Sequence, residues 1–229
     1  MRDTNKRNIK KNKMCLITVI ICLLLMNFSC KFSPAPTQDQ KNEVAQAVDL
    51  GLPSGTLWCD RNVGATFLED YGHYFAWGET SQKKNYSWQS YKWCNGTYRT
   101  QTKYGIIDCK YTLDFKDDAA YINMGEKWRT PTYSELEELK RLCSWKWTTQ
   151  NKIKGYRVTG PNGNSIFLPA SGCCKSNTLY GTNSYGFYLS SSLYDNRFDY
   201  MWYLSFSKDD YYVASSARYY GRTVRAVVR

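Results

Sequence analysis

Apolar residues recur at helical spacing most clearly in "TPTYSELEELKRLCSW", residues 130–145. Leu136, Leu139 and Cys143 fall on one face, while Glu137, Glu138, Lys140 and Arg141 lie mostly on the wet one. Thr132 with Glu135 three positions on forms a capping box, so the pattern predicts a helix starting there. That pairing makes Glu135 and Glu138 a cap and a solvated face rather than an acid–base pair. A shorter helix is predicted in "DFKDDAAYINMG", capped by Asp114 or Asp117 and ended by Gly125.

Elsewhere the period shortens to two. In "WYLSF", Trp202, Leu204 and Phe206 point one way, Tyr203 and Ser205 the other. "TVRAVVR" reads as a closing strand with Val224, Ala226 and Val228 on one side. "AVDLGLPSGTLWCDRNVGA" gives strand-like segments broken by a Pro-Ser-Gly turn, and "HYFAWGET" another short strand. "GYRVTGPNGNSIFLPASG" reads as a hairpin bent at Pro-Asn-Gly-Asn. Strands at both ends with helices between predict an α+β domain, residues 47–229, whose termini meet in one sheet.

The first 46 residues read differently. Residues 1–13 carry six basic side chains and one acid, and residues 14–28 carry no charge and lean apolar. This is the form of a secretory signal, too short to span a bilayer comfortably. Ser29–Cys30 resembles the end of a bacterial lipoprotein signal, which makes Cys30 the expected lipidation site. Residues 31–46 are polar, hold two prolines and read as a flexible tether. The expected protein is exported and held at a membrane in the cell envelope.

Removing residues 1–13 lowers the formal charge from +11 to +6. No basic run with interleaved aromatics follows residue 30, so nucleic acid is not an expected partner. Six cysteines remain after Cys15, Cys22 and Cys30: Cys59, Cys94, Cys109, Cys143, Cys173 and Cys174. An even number in an exported chain permits disulfides, while Cys59 and Cys143 sit in apolar patterns that suit buried thiols. There is no CxxC spacing and only one histidine, His73, so no metal or other cofactor is expected.

The stretches "VDLGLPSGTLWCDRNVGA", "YFAWGET", "DDAAYINMGEKWRTPTYSELEEL", "GNSIFLPASG", "GFYLSSS" and "GRTVRAV" occur in this order. Together they resemble the Fibrobacter succinogenes major paralogous domain family over residues 47–229. The resemblance implies a C-type-lectin-like fold, with a mixed, mostly antiparallel sheet and two helices. It also implies kinship with formylglycine-generating enzymes, but those need paired metal-binding cysteines near the C-terminus. Here no cysteine follows Cys174. The Trp-Asn-Asp triplet of calcium-dependent sugar-binding lectins is absent too, and no enzyme activity is expected.

Composition changes in the last quarter. Lys, Glu, Gln, Met and Trp fill 36 of the 145 positions from 31 to 175 but 3 of the 54 from 176 on, while ten of the twenty tyrosines lie there. Those five types are the ones no pyrimidine-ended codon encodes. The implied fold is similar to that of variable proteins diversified by retroelements, where adenines of AAY codons are randomised. Rigid tyrosines with adaptable serine, asparagine and aspartate also make the composition of a paratope. The expected function is recognition, without turnover, of a protein or glycan at the cell surface. The expected face carries Tyr194, Asn196, Phe198, Tyr200, Tyr211, Tyr212 and Ser216, on displayed loops 194–200 and 209–217. Trp202, Leu204, Phe206 and Val224 are expected as core beneath it. The alternative is a structural part of an envelope or appendage complex.

Overall fold

A computed structural model describes residues 44–228. The signal, Cys30 and the tether up to residue 43 lie outside the described residues. Strand β1 (Ala47–Asp49) pairs antiparallel with β2 (Leu57–Cys59). The closing strand β11 (Val227–Val228) pairs antiparallel with β2 on its other side. The two ends of the domain therefore share a sheet, as their alternation predicts, although the closing strand meets β2 and not β1. The extended run before β11 keeps the expected phase, with Val224, Ala226 and Val228 in one buried cluster and Val227 in another.

The predicted hairpin forms from β4 (Ile153–Thr159) and β5 (Ser165–Pro169), and β3 (Ser144–Gln150) completes an antiparallel meander. A small hairpin follows, β6 (Cys173–Lys175) with β7 (Thr178–Tyr180). The last sheet joins β8 (Gly186–Leu193), β9 (Tyr200–Phe206) and β10 (Tyr211–Ala217) in the order β10-β9-β8, again antiparallel. Among the described residues the architecture is thus α+β and mostly antiparallel, with two α-helices.

Those helices are α1 (Ala119–Met124) and α2 (Tyr133–Leu142). Both sides of the predicted capping box form at α2, and its buried residues are Leu136 and Leu139. Neither expected aspartate caps α1. Asp118 does, accepting from Ala120 N and Tyr121 N, because its carboxylate also takes Thr130 N at 2.8 Å and Thr130 Oγ1 at 2.7 Å. Gly125 ends α1 at φ 97°. "HYFAWGET" is not a strand: it makes one isolated bridge, Phe75 to Arg222, holds a turn at Trp77–Gly78 and is otherwise irregular. Among the described residues no helix is long and apolar enough to cross a membrane.

Glu135 does more than cap. It accepts from Thr132 N at 2.8 Å, from Thr56 Oγ1 at 2.8 Å and from Arg129 Nη1 at 2.7 Å. Burial alone would raise its pKa, but the Arg129 fork and these hydrogen bonds hold it at about 2, against an ordinary 4.5. A carboxylate whose folded-state pKa is depressed stabilises the fold above its unfolded pKa and loses that contribution as pH falls through the folded one. Thermal unfolding should therefore show a Tm that drops steeply from pH 4.5 towards 2. Glu135→Gln should start lower at neutral pH and give a flatter profile; an unchanged slope would contradict this account.

Both sides of the β8-β9-β10 sheet carry buried residues. Leu204 and Phe206 join Tyr188 in one cluster, with Tyr211 and Val213 packed against it. Met201, Leu189 and Leu193 join Phe75, Trp77 and Val224 in the other. Gly186 is required at this sheet, since a Cβ there would lie 2.0 Å from Phe206 Cζ. Trp202, expected in the core, is only half-buried. It lies at the edge of its face, 4.4 Å from the Tyr133 ring and 4.8 Å from the Tyr194 ring.

Candidate functional site

Residues 211–217 are strand β10, not a displayed loop, and this divides the expected face. Tyr211 stands opposite Phe206 and Tyr212 opposite Ser205, so the two tyrosines project from opposite sides of the sheet. Tyr211 stacks on Trp145, ring centroids 4.6 Å apart, and belongs to the core side. Tyr212 is 46% exposed on the other side. Phe198 packs 6.0 Å from Tyr111 and over Gly105. Tyr194 lies against Trp202, and Asn196 Nδ2 donates to its hydroxyl. Only Tyr200 and Ser216 of the seven meet at one site.

That site is a cleft of about 360 Å³. Tyr200, Ser216, Tyr219 and Tyr220 line it from the C-terminal segment, and Trp88 and Tyr98 from more than a hundred positions earlier. Tyr219 and Tyr220 stack at 4.4 Å, and Trp88 meets Tyr219 edge-on at 4.9 Å. Arg197 lies 3.8 Å over the Tyr200 ring and pairs with Asp199, Nη2 to Oδ2 at 2.8 Å.

The cleft continues into a strip across the sheet. Tyr203 of β9 points away from Leu204, and Phe187 of β8 lies 6.1 Å from it, with Tyr185 6.1 Å beyond. Phe187 and Tyr203 are half-buried and Tyr185 is exposed. Gly221 permits the join: a Cβ there would lie 2.6 Å from the Tyr86 ring, which packs below.

Arg222 sits beneath the strip, 4% exposed. Its guanidinium carbon is 3.7 Å from the Tyr203 ring centroid and 5.3 Å from that of Tyr220. Nη2 donates to Ser216 Oγ at 2.5 Å and Nη1 to Met201 Sδ at 3.7 Å, while Nε has no partner among the described residues. Burial lowers its pKa, and the surrounding Tyr203, Cys173 and tyrosine pair push the other way. Arg225, equally buried, is fully engaged instead: Nε to Asn62 Oδ1, Nη1 to Cys59 O, Nη2 to Phe167 O.

The chemistry of these groups is that of contact. All six described cysteines are free thiols. Cys174, beside the strip, is pushed up to about 11 by burial and by its neighbour Cys173, so it stays protonated near neutral pH. Among the described residues no group of three or more His, Cys, Asp or Glu gathers in a way that could hold a metal.

The sequence reading did not single out Trp88, Tyr98, Phe187, Tyr219 or Arg222 for the site. Its one usable signal was the phase of "WYLSF", which sends Tyr203 away from the core residues. Against known proteins, residues 134–228 match a family described as a domain of unknown function, DUF8237. The matched stretch runs from α2 to the closing strand and includes the strip's own strands. No curated protein and no solved structure matches the chain.

Proposed function

We propose that this chain is an exported, lipid-anchored binding protein of the cell envelope. Its domain is of the C-type-lectin-like kind, and it recognises a surface ligand on its aromatic strip without turning it over. The observation that carries the reading is the strip itself: two groups of three rings, Tyr185–Phe187–Tyr203 and Tyr220–Tyr219–Trp88, bridged by the Arg222 guanidinium, which meets Tyr203 and Tyr220. Aromatic side chains offer large contact area for few torsions immobilised and are enriched where binding energy concentrates.

The composition of the last quarter supports a further part of the proposal, that this surface is a product of adenine-directed diversification. Phe187, Tyr203, Tyr212, Ser216, Tyr219 and Tyr220 all belong to the types that pyrimidine-ended codons encode. The three exceptions lie off the strip: Met201 is buried, Trp202 faces α2, and Lys208 sits between β9 and β10. Imperfect copies of the coding DNA beside a reverse transcriptase gene are expected in the genome. Their absence would remove this part and leave the binding reading standing.

A glycan and protein array probed with the full chain tests the function. Discrete, saturable signals that compete with one another are expected. An array silent in both arms, together with loss of the chain from an isolated envelope complex when Ile106 and Ile107 are made polar, would favour the assembly role. Those residues are 73% and 56% exposed and lie outside the strip.

A further inference from the structure

The cleft's charge is unbalanced. Arg197 and Asp199 neutralise each other at its rim. Arg222, one layer below, has no carboxylate within ion-pair distance among the described residues, and its Nε is without a hydrogen-bond partner. Lys175 adds a second cation, its Nζ 5.9 Å from the Tyr220 ring. A buried guanidinium without a counterion is costly, and such groups are normally paired. Arg225 illustrates the satisfied alternative, with three acceptors in place. Arg225 also lacks a carboxylate partner, so what sets Arg222 apart is that it leans on the Tyr203 and Tyr220 rings and keeps an Nε–H without an acceptor among the described residues, directly behind the cleft.

Ser216 connects this charge to the cleft. Its Oγ accepts from Arg222 Nη2, and it lines the cleft wall. Its own proton has no acceptor among the described residues, so it is free to donate into the cleft, strengthened by the guanidinium behind it. Beside it, the rings of Tyr219, Tyr220 and Trp88 offer faces and edges to an apolar sugar surface. Resting on the binding function proposed above, the geometry points to a carboxylated sugar as the ligand: its ring packs on the cleft's aromatics and its carboxylate accepts from Ser216 Oγ, compensating Arg222.

The probe is a panel of immobilised oligosaccharides terminating in uronic or sialic acids, each paired with its methyl ester. The ester keeps the ring and removes the charge. Binding by the full chain is expected on acidic members and to fall at least about tenfold on their esters. Ser216→Ala should lose about tenfold on the acidic member alone, and Ser216→Thr should restore it. Arg222→Met should do the same as Ser216→Ala. If it does not fold, the serine pair decides. Equal binding to acid and ester, or a Ser216→Ala loss shared by both, overturns the acidic-sugar inference while leaving a binding strip. No sugar bound, with a protein captured through the same tyrosines, also overturns it and leaves the function intact.

Discussion

A chain carrying Tyr200→Ala and Tyr219→Ala together is expected to lose about a hundredfold or more in affinity for its ligand, as two truncated hot-spot aromatics would imply. Its melting temperature should move less than that of Tyr211→Ala, because Tyr200 and Tyr219 line the cleft whereas Tyr211 packs against the larger core cluster. Tyr211→Ala should do the reverse. That ring stacks on Trp145 and lies 5.7 Å from Tyr156, on the core side of the sheet. Its removal should cost roughly 2–4 kcal/mol, at the lower end of large core truncations, and leave affinity intact. Titration calorimetry beside thermal unfolding checks both. The decisive failure would be an affinity loss for Tyr211→Ala, since the ligand would then have to meet both sides of one strand.

The second large effect concerns stability. Arg225→Met should destabilise the fold by about 3–5 kcal/mol. The substitution leaves Asn62 Oδ1, Cys59 O and Phe167 O without their donor in the interior, where those groups tie β2, its following turn and β5 to the closing segment. For a domain of this size that is a fall of roughly 10 °C in Tm. Arg222→Met should cost distinctly less, because it strands only the Ser216 hydroxyl and a thioether. Comparable losses for the two would mean that Arg222 is as structural as Arg225, and would remove the reason to give it a ligand.

What the sequence made legible was what local chemistry decides. Helix α2 carries its own start signal and its own apolar period, and both appear as read. Helix α1 was located, but its cap was misassigned among three aspartates. The choice fell to Asp118 through Thr130, twelve residues on, which no local pattern contains. Strand β10 was missed because "YYVASSA" has no apolar alternation. What makes it a strand is its seven-residue register with β9. "HYFAWGET" had strand composition but found only a single bridge to pair with. The site suffered most, since Trp88 and Tyr219 meet across the fold, and a buried arginine without a counterion has no signature in one dimension.

Strand β9 serves the interior and the display surface with alternate residues: Leu204 and Phe206 inward, Tyr203 outward. This sets the kind of change the surface tolerates. Substitution at Tyr203 alters the outer face, whereas Met201 and Ser205, which share its phase, are buried and belong to the packing. A single residue inserted within β9 or β10 reverses the phase for the rest of the strand, sending tyrosines inward and leucine or valine out. The strip is therefore free to vary in chemistry but fixed in length, like a line of type whose letters can be changed while their spacing cannot.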